Sequence, residues 1–498
     1  MSKKLPIFYS ALLLTGVNLL LRFVGTSFQV YLSGKIGAEG IGLLQLVLSV
    51  GSMALVAGMA GIRTATMYLT AEEIGHKKPS QVIWVLSGCT KYSLVASGAV
   101  AVAVFHFAPD IALHWIGHPE IVDSIRLFSV FLPVNCLCGV MVGYFTGANR
   151  IGTLAAVEVA EQACSMVCTI LFLTTWGTND AAKACQAVIL GSQMGSVLTL
   201  CSLIVLRLLE KAPTSGRIPV AQRLHQTAVP LALADNLRTG ISTVENLIVP
   251  KRLALYEGVT SPLAAFGTVC GMVFPILTFP MAILFGLTEL LIPELARCNA
   301  AGSHQRITYL VTQSLRIALL FGVLCSCVLY FAAEPLCISL YHSADAGRYL
   351  RWFAPLAVML YCDAVTDAMI KGLGEQKASV RYNIFTNSMD VTLLYLLLPN
   401  CGIIGYFVSF TVTHVINFIL SLRRLLKITG IRIRISIPVR ALCSAFLAIA
   451  IAKYASSAMG QICASVVILF CLLYLSGVVR HHDGQWLLRL LKIKDRPA

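Results

Sequence analysis

IFYSALLLTGVNLLLRFVGTSFQVYL, residues 7–32, decides the fold: as a helix this apolar run can cross a hydrocarbon core of about 30 Å, and it carries a single charge, Arg22, near its middle. Runs of the same kind recur near residues 41–70, 82–107, 122–147, 153–175, 184–208, 227–250, 263–292, 307–333, 349–370, 381–398, 403–422, 437–455 and 460–479. They make about fourteen helices of membrane-spanning length. Composition agrees. Of the 498 residues 57% are hydrophobic and 12% charged, with a mean hydropathy of +0.80, whereas a soluble domain gives roughly 25% of its residues to charge. The expected class is an all-α polytopic membrane protein. The opening MSKK resembles a secretion signal, yet the apolar run continues past Phe28 with no small-residue cleavage site closing a short core, so it reads as a retained first helix.

The net charge of +15 gains its meaning from placement. One set of loops holds Lys3, Lys4, Lys77, Lys78, Arg150, Arg207, Lys211, Arg217, Arg223, Arg297, Arg306, Lys371, Lys377, Arg381, Arg423, Arg424 and Lys427, and continues into the basic tail. The opposite set holds few, such as Lys35, Lys183, Lys251, Arg252, Arg348 and Lys453. The positive-inside rule then places both termini in the cytoplasm, which requires an even number of spans in the cytoplasmic membrane. No nucleic-acid partner is expected from a charge distributed in this way.

An ungapped shift of 225 residues superposes Tyr31 on Tyr256, Gly42 on Gly267, Gly61 on Gly286, Arg126 on Arg351, Phe128 on Phe353 and Gly147 on Gly372. The chain therefore reads as two parallel six-helix repeats: an N-lobe at 1–209, a polar linker at 210–226 with Pro213, Gly216 and Pro219, and a C-lobe at 227–434. Two further helices at 435–479 and a basic amphipathic tail at 480–498 follow. Parallel repeats of this kind place a substrate path between the halves.

Enzymatic motifs are missing. There is no G-x-x-x-x-G-K-[ST], no H-E-x-x-H and no G-x-S-x-G, and the 17 cysteines form no C-x-x-C. No metal, cofactor or enzymatic activity is expected. What remains is charge inside helices, which costs about 2.5–3.5 kcal/mol per residue at a helix centre and is rarely left facing lipid. Arg22 has Asn18 one turn before it, and the seventh span carries Asp235, Asn236, Arg238, Glu245 and Asn246. Under the repeat shift Glu245 lies at the depth of Arg22, so a pair or a shared cavity is expected there. The arginines suit an anionic head group such as a pyrophosphate, with Glu245 and Asp235 balancing them or binding a coupling cation; the bland alternative is a permanent salt bridge. Arg63 on the second span is a further substrate contact or a snorkelling cation. Pro275 and Pro280 should bend the eighth span as a gate or a fixed kink. Asp363, Asp367 and Lys371 lie on one stripe of the tenth span, as an internal acid-to-lysine pairing or a cation route. Glu158 and Glu161 on the fifth are either wet or titrate in a cavity.

Three stretches carry a resemblance. IGAEGIGLLQL at 36–46, GMVFP at 271–275 with Phe279-Pro280 and LIPEL at 291–295, and KGLGEQ at 371–376 with Tyr382-Asn383-Ile384 and GIIGY at 402–406 are similar to the stage V sporulation protein B-like, polysaccharide-flippase branch of the multidrug, oligosaccharidyl-lipid and polysaccharide (MOP) exporter superfamily. The resemblance covers nearly the whole chain. It implies two six-helix lobes in a V around a cavity lined by the first, second, seventh and eighth helices, with alternating access and a lipid-linked saccharide or cell-wall precursor as cargo. The family's GIPTA run reads GIRTA here, with Arg63 where proline is usual, which implies a straighter second helix and a more cationic cavity.

The leading expectation is a flippase for an undecaprenyl-pyrophosphate-linked saccharide or peptidoglycan precursor, serving sporulation or envelope synthesis. The alternatives are a cation-coupled multidrug antiporter and a non-transporting membrane scaffold.

Overall fold

The structure, a computed structural model, describes residues 7–59, 61–75, 81–176, 180–209, 221–431 and 436–479. Lys3, Lys4, Lys77, Lys78, most of the expected linker and the whole basic tail lie outside them. Among the described residues all regular structure is helical. The order is α1 (Ile7–Met59), α2 (Ile62–Gly75), α3 (Val82–Asp110), α4 (Val122–Gly147), α5 (Ile151–Trp176), α6 (Ala181–Leu208), α7 (Ala221–Leu253), α8 (Pro262–Thr268), α9 (Phe274–Thr278), α10 (Met281–Ala300), α11 (His304–Tyr341), α12 (Ala344–Phe353), α13 (Ala357–Gly372), α14 (Gln376–Thr429), α15 (Ser436–Ala452) and α16 (Ala458–Leu475).

Every segment read from the sequence falls on this set. Nine described helical stretches are long and apolar enough to cross a membrane, or ten with one bent pair taken as a single span. Two of them are double. α1 changes direction at Gly37 (φ 69°) and α14 at Gly402 (φ 57°), so each contributes two limbs; a side chain with a Cβ would be strained at either φ. The polar α7 and the 17-residue α15 complete the count expected from sequence.

One expectation about the second span is corrected. Arg63 in place of proline does not leave that helix straight, because Gly61 takes φ 73° and separates α1 from α2 directly before Arg63. The bend of the eighth span is present: a π-helical turn at Val269–Val273 precedes Pro275, and the axis turns by 58° between Pro262–Thr278 and Met281–Thr288. Two prolines within six residues remove the backbone donors that would hold that stretch straight.

The chain forms two compact units, Met1–Pro275 with Asn383–Thr413, and Ile276–Tyr382 with His414–Ala498. In the first, Ile62 and Leu69 of α2, Val85 and Cys89 of α3, Tyr144 and Phe145 of α4, and Leu203 of α6 make a buried core. In the second, Val323 and Cys327 of α11 receive Ala441, Ala445 and Ala448 of α15 together with Leu469 and Leu473 of α16. Small residues bring helices close where lipid supplies no hydrophobic drive.

The 225-residue repeat recurs in the contacts. Arg126 stacks on Phe105 at 5.4 Å in the first unit and Arg351 on Tyr330 at 5.9 Å in the second. A Cβ on Gly147 would meet the Met67 carbonyl, and one on Gly372 the Ile292 carbonyl. Within the first unit the relation is reciprocal: a Cβ on Gly42 would strike the Leu263 carbonyl, and one on Gly267 the Ala38 carbonyl. Each of these pairs is the other shifted by the repeat, so the second limb of α1 and α8 cross about a local pseudo-twofold.

Candidate functional site

Helix α7 is the least apolar of the long helices because it carries a polar face, and two sides of that face do different things. Thr243 and Asn246, three residues apart and so on one side, tie α7 to the second limb of α1: Thr243 Oγ1 donates to the Ser49 carbonyl at 3.1 Å and Asn246 Nδ2 to Ser49 Oγ at 3.0 Å. Glu245 points elsewhere. Its carboxyl lies close enough to that of Asp390, on the first limb of α14, for each to act on the other's charge. Asp390 is 5% exposed and accepts from Ser409 Oγ at 2.5 Å and Thr413 Oγ1 at 3.3 Å, both on the second limb.

Around this pair lie Tyr406 and Cys270, close to each other and to the Glu245 carboxyl. The Tyr406 ring packs beside Phe274 and Phe410. Gln29 on the first limb of α1 donates to the Gly271 carbonyl at 3.3 Å, in the π-helical turn that also holds Cys270. All of these residues belong to the first unit. Two carboxyls in contact in a low-dielectric interior cannot both stay ionised unless a proton or a cation lies with them. The site can therefore bind and release positive charge.

The expectation for Arg22 and Glu245 is a pair or a shared cavity, and the structure adds Asp390 beside Glu245. Arg22 is half-buried on the first limb of α1, and Asp390 is a charged neighbour of Glu245. Equal depth along two helices leaves the direction of each side chain open, and Glu245 faces α14. Asp235 and Arg238 are exposed on α7, two to three turns before it. Asn18 lies on α1, with its side chain outside the described set.

A second polar group gathers within the same unit. Exposed Arg63 on α2 lies near enough to Glu158 of α5 to act on its charge, and Glu161 follows one turn on. Glu161 accepts from Thr199 Oγ1 of α6 at 2.8 Å, while Asn135 Nδ2 of α4 donates to Gln193 Oε1 at 2.7 Å. The cation for Glu158 is thus supplied by another helix. In the second unit Lys371 Nζ reaches Asp367 Oδ2 at 2.5 Å, Ser379 also donates to Asp367, and Asp363 accepts from Asn417 Nδ2 at 3.0 Å. The acid-to-lysine stripe is therefore internally paired at Asp367, whereas Asp363 is drawn to α14.

Sequence reasoning overlooked Asp390 and its hydroxyls. A signal was available, since Asp390 is the one carboxylate in the segment 381–398 and an ionisable residue inside a span marks function by default. The clamp of Arg223 on Glu73 at 2.7 Å and Glu72 at 2.8 Å was also missed. It ties the start of α7 to the end of α2 across residues far apart in sequence. Those two carboxylates push the Arg223 guanidinium above its already high ordinary pKa.

Comparison with known proteins places these features. The chain is 24% identical over 474 residues to Stage V sporulation protein B of Bacillus subtilis (strain 168), covering 90% of this chain and 88% of the relative. To Sporulation protein YkvU of the same organism it is 21% identical over 375 residues, covering 74% and 82%. Among solved structures, an inward closed conformation of the lipid II flippase MurJ superposes with a TM-score of 0.68 at 13% identity over 94% of this chain and 100% of that one. An inward-facing multidrug resistance MATE transporter of the MOP superfamily gives 0.64 at 16% identity, over 84% and 100%. The fold is theirs. The MatE family profile matches residues 15–172 and 253–396, more than half of the sequence, and the chain belongs to that family of multi-pass membrane proteins.

Proposed function

We propose that this chain is a transporter that carries a lipid-linked saccharide or peptidoglycan precursor across the cytoplasmic membrane by alternating access, with its termini in the cytoplasm and a role in sporulation or envelope synthesis. The observation that carries the reading is the Glu245–Asp390 pair. A contact between the half-buried Glu245 carboxyl and the buried Asp390 carboxyl has little use in a scaffold, since well-packed apolar residues would be at least as stable there. In a carrier it is a place where a proton or a monovalent cation binds in one conformation and leaves in another. Arg22, Arg63 and Arg238, all in the same unit, supply guanidinium groups for a phosphate-bearing head group. The names of the similar proteins, a stage V sporulation protein and a lipid II flippase, support cargo of this class. The excess of basic residues in one set of loops supports termini in the cytoplasm.

A second reading has its own support. The same acid pair could accept an organic cation, as a multidrug antiporter requires, and solved multidrug MATE transporters share the fold. Purified protein in liposomes separates the two. The flippase reading expects head-group translocation of a fluorescent lipid-linked saccharide, reduced at least tenfold in Arg22→Ala and Arg238→Ala while insertion stays normal. Export of a cationic dye with no movement of the lipid would instead establish the antiporter.

A further inference from the structure

The repeat makes one arginine the control for another. Arg126 and Arg351 occupy the same repeat position, each in the first α-helix after a hairpin, one turn into α4 and two turns into α12, and each stacked on the aromatic residue 21 positions earlier. In both, Nε is buried and has no hydrogen-bond acceptor. The charges are treated differently. Arg351 donates from NH2 to Glu334 Oε2 at 2.9 Å, whereas the first repeat has Pro109 at the position equivalent to Glu334. The acids nearest in sequence to Arg126 do not make up the loss: Asp110 lies beside His114, Glu120 bonds His118 at 2.7 Å, and Asp123 points into the open. Among the described residues no carboxylate comes within ion-pair distance of Arg126.

A half-buried guanidinium with no counter-charge is costly next to hydrocarbon and is held only where something supplies acceptors. Its surroundings say what that is. Phe105, on which Arg126 stacks, is 46% exposed, and at the same end of the hairpin Trp115 is 46% exposed and Phe107 and Leu113 are more exposed still. A belt of exposed aromatic and apolar side chains with a cation inside it marks the level of lipid head groups. We infer that Arg126 is a binding site for the phosphodiester of a membrane phospholipid, in the leaflet at the end of the molecule that carries residues 111–121. The stack on Phe105 fixes the guanidinium plane, and the lipid phosphate takes the place that Glu334 holds in the second repeat. The inference stands apart from what the protein transports.

Native mass spectrometry of the full chain, released from nanodiscs of anionic phospholipid into mild detergent, tests it. Wild type and Arg351→Gln should keep a bound phospholipid that Arg126→Gln loses at least severalfold. Arg126→Lys should fall between them, and melting temperatures of the two glutamine variants show that any loss is local. Millimolar inorganic phosphate should leave the lipid in place. Equal retention by wild type and a folded Arg126→Gln would overturn the site, as would ejection of the bound species by free phosphate.

Discussion

Asp390 is the residue on which the chemistry turns: buried, held by two hydroxyls and set against a second acid. Substituting Ser409 with alanine removes its shorter hydrogen bond and should destabilise the protein by about 1–3 kcal/mol, seen as a lower melting temperature in detergent. Asp390→Asn and Glu245→Gln keep the shapes and most of the donors, so both should insert and fold. Each should nevertheless lose most transport, because a neutral amide cannot exchange a cation. Near the start of α7, Arg223→Ala should cost about 1–3 kcal/mol, since Glu73, with a side chain only 4% exposed, would lose its counter-charge. Two carboxylates raise the folded-state pKa of Arg223 above its unfolded value, so wherever both carboxylates are ionised the clamp's contribution is fully present below the ordinary arginine value. A melting-temperature profile should show the deficit of the alanine variant unchanged from neutral to mildly alkaline pH. Glu245 was legible in the sequence because charge within a span is conspicuous. Its partner was not, because Asp390 is far away in sequence and the face that each side chain takes is set by packing.

At the level of elements, apolar length revealed the helices and the breaks at Gly37 and Gly402, which fall between segments, and left the joint at Gly61 unread. That joint sits inside one apolar run and depends on a single backbone torsion, which hydropathy does not register. The prolines of the eighth span were readable since proline acts on its own helix whatever surrounds it. The paired glycines Gly42 and Gly267 were visible as a repeat, but their purpose, the close crossing of α1 and α8, emerges only in three dimensions. Gly267→Ala should therefore overpack that crossing and cost about 1–3 kcal/mol, and Gly42→Ala should behave alike because the contacts are reciprocal. Gly98 and Gly152, with nothing near their Cβ positions, serve as controls; alanine there should leave the melting temperature unchanged or slightly raised. A bend that gates transport makes a separate prediction: Pro280→Ala should lower the transport rate several-fold while changing stability by under about 1 kcal/mol.

For the whole molecule, the polytopic fold and the MatE family were accessible from composition, spacing and motifs, and they match solved transporters along most of the chain. The division of labour was less accessible. The acid pair, the Arg63–Glu158 group and the arginines proposed for the head group all lie in the unit Met1–Pro275 with Asn383–Thr413. A linear reading of lobes separates Asp390 from Arg63; contacts between distant segments gather them. The central claim is that exchange of a cation at Glu245 and Asp390 drives movement of a lipid-linked cargo. The most direct measurement is the initial rate of head-group translocation of a lipid-linked saccharide in proteoliposomes, with and without an imposed sodium or proton gradient, for wild type and the Glu245→Gln/Asp390→Asn double variant. The account predicts a wild-type rate that rises at least tenfold with one of the gradients and a folded double variant that ignores both. A double variant that is accelerated by the gradient as strongly as wild type would contradict it.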